Sequence, residues 1–208
     1  MSLFKTLFVL FFLLFIGSVT LLILVLLPLF ISEARYRLDQ VNLGQGALRS
    51  WLMPQFNIKM PEPKLDQGFS IWIEKIKISS QVFANIDASN PKAYKPILMK
   101  GVAHAAGTAF PGQGQGNIYL FAHSTDTTIN IARYNAVFFL LRYVEKGDKV
   151  VIYYLGKKYT YQVFDKLMTD ANDVRYLSRG DGAEQLVLQT CWPPGTTWKR
   201  LLILAKPV

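Results

Sequence analysis

Cysteine is almost absent from this chain: Cys191 is the only one in 208 residues. No internal disulfide can form, so a disulfide-stapled scaffold is excluded. No Cys-x-x-Cys pair or histidine-rich tract points to a structural zinc either. Charge is missing altogether from Thr6 to Ile31, where Leu, Phe, Ile and Val dominate. Acidic residues are outnumbered, 14 against 23 basic, for a formal net charge of +9. Such an excess is attracted to anionic lipid head groups or acidic wall polymers. No dense basic cluster with interleaved aromatics occurs, however, which sets nucleic acid aside as a partner.

The uncharged run is the first positive feature. About 20 apolar residues suffice to cross the hydrocarbon layer, whereas the apolar core of a cleaved signal peptide spans only about 7–15. Residues 6–31 are therefore expected to form an uncleaved transmembrane anchor, with Pro28 near its far end. Lys5 flanks one side, Arg35 and Arg37 the other, beside Glu33 and Asp39, so flank charges leave the orientation open. Residues 32–65, punctuated by Pro54, Pro61 and Pro63, read as a stalk or linker whose first part, up to about Met53, has helical character. The remaining segment, 66–208, is expected to be one domain with its own core.

Within that domain the pattern is of short strands. Phe69, Ile71 and Ile73 alternate with Ser70, Trp72 and Glu74; Ile76 and Ile78 share a parity with each other, and Val82, Ala84 and Ile86 continue it before the turn-formers Asp87, Ser89, Asn90 and Pro91. Ile118–His123 is a further strand. Val150–Leu155 and Tyr159–Phe164 flank Gly156-Lys157-Lys158 as a hairpin, and Gln185–Thr190 and Leu201–Ala205 complete the set. Tyr134–Val144 reads as a helix with Phe138, Leu141 and Val144 inward, stopped by Gly147-Asp148. Many short strands with one or two short helices imply a closed or sandwiched, mainly β architecture.

Strand parity places the chemistry. Val187, Gln189 and Cys191 share one face, Leu186, Leu188 and Thr190 the other; Arg200, Leu202 and Leu204 share a face of the last strand. If the last two strands pair as a hairpin, Cys191 and Arg200 meet at its mouth. If the strand ending in His123 lies parallel beside Cys191's strand, the imidazole joins them. An imidazolium or guanidinium favours the nucleophilic thiolate, an imidazole can protonate a leaving amine, and a guanidinium can donate to a carbonyl or an oxyanion. Taken singly, each residue also has an ordinary structural reading.

As an ordered set these residues resemble the sortases, membrane-anchored cysteine transpeptidases of the bacterial envelope. Leu188-Gln189-Thr190-Cys191 is similar to their Thr-Leu-x-Thr-Cys run, with Val187 in place of the first threonine, and Arg200-Leu201-Leu202-Ile203 to their Arg-Leu-x-Val segment. Gly116–His123 resembles the strand ending in their histidine; Gly101-Val102-Ala103-His104, Gly107-Thr108 and Pro111-Gly112 resemble the loop before it. Ala122 and Ser124 depart from the glycine and arginine common around that histidine. The resemblance implies a closed eight-stranded β-barrel with one or two short helices behind the transmembrane helix. It also implies catalysis by His123, Cys191 and Arg200, with Thr190 and Trp192 bordering the substrate, and assigns His104 to a loop outside the catalytic set. The implied reaction cleaves a Leu-Pro-x-Thr-Gly-like sorting signal in secreted proteins and passes the acyl group to an amine of the envelope. No cofactor or metal is expected, and the implied orientation has residues 1–5 cytoplasmic.

Two other cysteine enzymes fit less well. An L,D-transpeptidase expects Ser-His-Gly-Cys, and a papain-like protease places cysteine before histidine. The non-enzymatic alternative is a membrane-tethered barrel that binds wall polymer or peptide.

Overall fold

A computed structural model describes residues 2–40, 68–124, 137–178 and 182–208. The first element, α1 (Ser2–Gln40), is one continuous helix. Its segment Lys5–Leu24, of mean hydropathy 3.0 and 0% buried, is long and apolar enough to cross a membrane. The helix runs through Pro28 and takes in the start of the expected stalk; the rest of that stalk lies outside the described residues.

From Ser70 the chain forms eight strands: β1 (Ser70–Ile73), β2 (Ile78–Ile86), β3 (Val102–Ala105), β4 (Asn117–Phe121), β5 (Lys149–Tyr154), β6 (Lys157–Asp170), β7 (Gln185–Trp192) and β8 (Lys199–Pro207). They close into a barrel in the order β1-β2-β3-β4-β7-β8-β6-β5. The pairs β2–β3 and β4–β7 are parallel and every other neighbouring pair is antiparallel. One core fills the barrel: Ile71, Ile73, Ile118, Leu120, Leu186, Leu188 and Ile203 all reach it from alternate strand positions. A second core lies on the outer face, where Tyr119, Phe121, Val187, Leu202 and Leu204 pack with Leu98 of helix α2 (Pro91–Leu98). Short 3-10 turns at Glu74–Ile76, Phe139–Tyr143 and Arg175–Leu177 complete the described helical structure.

Several sequence expectations change on contact with the structure. The alternation from Phe69 to Ile78 is interrupted by a 3-10 turn, Glu74–Ile76, closed by Lys77 at φ 50°. The helix expected over 134–144 is only a 3-10 segment within the described residues, although Phe138, Leu141 and Val144 are fully buried as the spacing requires; residues 134–136 lie outside them. The β5–β6 turn is Leu155-Gly156 rather than Gly156-Lys157-Lys158, because Tyr154 already pairs with Lys157.

The segment expected to be a loop around His104 is strand β3, and His104 is buried there. Its Nε2 donates to the Ala109 carbonyl at 2.9 Å, and its Nδ1 accepts from the Asn85 amide at 3.3 Å. Asn85 sits at φ 57° in the irregularity of β2, so the ring supplies an acceptor that the disturbed ladder does not. Burial pushes the His104 pKa below its ordinary value, with the bond to Ala109 opposing, in keeping with a neutral ring that uses one nitrogen as donor and the other as acceptor. Phe110 lies against it at 4.3 Å between ring centroids.

A candidate active site at the end of β7

Leu186 and Leu188 are buried inside the barrel, which turns Val187, Gln189 and Cys191 outward. On one side β7 pairs with β8 in the register Cys191↔Arg200. On the other it runs parallel to β4 in the register Asn117↔Gln185 to Phe121↔Gln189. The Ala122 amide continues that ladder, donating to the Gln189 carbonyl at 3.2 Å. Two further residues bring His123 level with Cys191. Cys191 thus has Arg200 opposite it on β8 and, if the β4 register continues past Ala122, His123 on its other side, with neighbouring strands about 4.8 Å apart. Ala122 and Ser124 are buried while His123 is half-buried, so the histidine occupies the outward position of this stretch.

Thr190 links the histidine and cysteine segments. Thr190 is 1% exposed, and its hydroxyl donates to the Ala122 carbonyl at 3.0 Å. The side chain expected to border the substrate instead faces the interior and joins the residue before the thiol to the residue before the imidazole. The methyl of Ala122, where glycine is common, is absorbed by the interior core. Thr190→Val, which keeps the shape and deletes the hydroxyl, should lower unfolding free energy by about 1–3 kcal/mol by leaving a buried carbonyl without its donor. Urea unfolding monitored by tryptophan fluorescence checks this; an unchanged midpoint contradicts it.

Arg200 is half-buried, and its Nη1 donates to the Thr197 and Lys199 carbonyls at 3.1 and 3.2 Å. The loop between β7 and β8 therefore holds one edge of the guanidinium. One row further from the barrel mouth, the Tyr119 hydroxyl donates to Gln189 Oε1 at 2.8 Å. Burial pushes the Tyr119 phenol well above its ordinary pKa, with the positive charge of Arg200 opposing, so the hydroxyl remains a donor at neutral pH. Sequence parity had no means of finding this Tyr119–Gln189 support, because it joins different strands. Trp192 is half-buried and packs against the interior core at the mouth of the barrel, and Trp198 in the following loop is 74% exposed. Among the described residues no group of three or more His, Cys, Asp or Glu side chains is placed to hold a metal ion.

The sortase domain model matches residues 71–208, from the first barrel strand onward. The chain belongs to the sortase family. Sortases are cysteine transpeptidases and are membrane-associated, and the long apolar α1 is consistent with an anchor. Sortase D of Bacillus subtilis (strain 168) is 27% identical over 151 residues, 71% of this chain and 67% of that protein. A pilus-related sortase C of Group B Streptococcus shares 25% identity and superimposes with a TM-score of 0.56, covering 67% of this chain. The match spans 66% of that structure, slightly under two thirds of its length. Clostridium perfringens sortase C, solved with the C-terminal cell wall sorting motif, shares the fold at 24% identity, with a TM-score of 0.55 and coverage of 67% and 69% of the two chains.

Proposed function

We propose that this sortase-family chain is a membrane-anchored transpeptidase whose nucleophile is Cys191. The observation that supports the reading is the register: Cys191 pairs with Arg200, and β4, parallel to β7 as far as Phe121↔Gln189, leads two residues later to His123. Residues 6–31 span the membrane with 1–5 cytoplasmic, 32–65 form a stalk, and 66–208 act outside.

A thiol with a reference pKa of about 8.5 is mostly protonated at neutral pH, so cationic neighbours are needed to hold it as thiolate. The Cys191 thiolate attacks the carbonyl of the threonine in a Leu-Pro-x-Thr-Gly-like signal of a secreted protein. The Thr-Gly C–N bond breaks, the departing glycine amine takes a proton from His123, and a thioester remains. An amine of the envelope then gives a proton to His123 and attacks the thioester; the new amide forms and the thiolate is restored. Arg200 donates hydrogen bonds to the substrate carbonyl and to each oxyanion, and Trp192 borders the peptide. The reaction is redox-neutral and draws on no cofactor.

The test is incubation of the full chain in detergent with a pentapeptide library and a panel of amines, followed by mass spectrometry. The expected products are a thioacyl adduct on Cys191 and new amides that carry the residues before the cleaved bond. Peptides bound but never cleaved point instead to a non-catalytic barrel that holds peptide or wall polymer.

A further inference from the structure

The end of the barrel opposite Cys191 has its own chemistry. β7 runs toward the active-site end, and following the strand directions around the barrel puts the start of β1, the β5–β6 turn and the start of α2 at the other end. Ser70, where the chain enters the barrel after the apolar α1 and the residues that follow it, pairs with Tyr153, two residues before the β5–β6 turn. That turn has two residues, Leu155 at φ 50° and Gly156 at φ 74°. Two-residue hairpin loops with both φ values positive favour Asn-Gly, because a side chain with a Cβ resists the left-handed region. A leucine is an unfavourable choice there, and burial does not compensate for it: Leu155 is 76% exposed. Exposed lysines lie at this end, Lys157 and Lys158 directly after the turn and Lys92 in the first turn of α2. Asp87, an exposed carboxylate at this end, is engaged by Ser89, whose amide and hydroxyl donate at 2.9 and 2.6 Å.

We propose that the Leu155 turn is a membrane-docking tip that inserts the leucine between anionic phospholipid head groups of the bilayer that α1 spans. The lysines supply the electrostatic attraction, each strengthening association with an anionic surface about fivefold, and the leucine side chain reaches the head-group boundary. Three lysines and one leucine bind weakly in free solution. The anchor removes that obstacle by confining the domain to the surface, so a weak contact can set its orientation. Docked in this way, the barrel turns Cys191 away from the lipid, toward exported substrates. The inference rests on reading α1 as an anchor.

The test uses the full chain reconstituted into nanodiscs of phosphatidylcholine alone or with phosphatidylglycerol added, with hydrogen–deuterium exchange as the readout. Exchange at the Leu155 and Gly156 amides should slow several-fold in the anionic discs relative to the neutral ones, while the loop between β7 and β8 does not change. Lys157→Glu with Lys158→Glu should abolish the slowing. So should Leu155→Asn, which suits the turn and leaves the fold intact. Equal exchange in the two lipids, or slowing in Leu155→Asn as large as in the parent, overturns the docking tip while leaving the anchor standing. Failure of the chain to enter discs at all overturns the anchor reading and the docking tip with it.

Discussion

Cys191→Ala removes thioacyl formation to below detection, a loss of at least about 10^4-fold in peptide cleavage, and leaves the barrel folded. The size of the chemical effect follows from the role: without the sulfur there is no atom on which the acyl group can be stored, and the neighbouring groups only orient and protonate. The small structural effect follows from position. Cys191 is half-buried on the outer face of β7, beyond the interior core that Leu186 and Leu188 help to fill, so an alanine opens no cavity in that core. Its place in the ladder opposite Arg200 depends on backbone pairing, which alanine keeps. Intact-mass spectrometry after exposure to substrate peptide reads the first quantity and thermal unfolding the second. A Cys191→Ala protein that still accumulates an acyl adduct removes the thiol from the reaction.

This separation between chemistry and stability explains why the placement of the candidate residues was largely legible in the sequence. Gln185–Cys191 and Arg200–Ala205 hold apolar runs long enough to read as strands, and the two-residue repeat of a strand then fixes which side chains share a face. Leu186, Leu188 and Ile203 then point to the interior and Cys191 to the outside, as the buried pattern has it. Thr190 was half legible: parity turns it away from Cys191, but nothing in the sequence names the Ala122 carbonyl as its partner. Strand β3 was invisible for a different reason. Val102, Ala103, His104 and Ala105 are all buried, and a strand covered on both faces has no alternation to detect. Helix α2 was hidden by ambiguity. Asn90 caps it by accepting from the Lys92 amide at 3.0 Å and Pro91 starts it, yet Asn-Pro is equally a turn signal. The two misreadings share a cause, since β3 and α2 take their stability from packing against β4 and the outer-face core rather than from local preference.

Arg200→Lys tests whether charge alone suffices beside the thiol. The substitution keeps one positive charge at the start of β8 but replaces a planar fork of five donors by a single flexible ammonium. In the folded chain Nη1 is tied to the Thr197 and Lys199 carbonyls, so one edge of the guanidinium is fixed by the loop and the rest of the plane is held relative to Cys191. A lysine has no second edge: bonding to those carbonyls uses the donors that the substrate needs, and leaving them loses the orientation. Removal of a pre-oriented donor from a developing oxyanion typically lowers turnover by about 10^2–10^3-fold. The expected result is a fall of that order in kcat, with a smaller change in KM because the ground-state carbonyl carries less charge than the tetrahedral intermediate. Folding should hold, since β8 is secured by backbone pairing to both β6 and β7. Steady-state cleavage of a fluorogenic peptide resolves the two constants. A rise in KM alone makes Arg200 a binding residue, wild-type constants remove it from the mechanism, and loss of kcat at constant KM establishes that the fork, rather than its charge, stabilises the transition state.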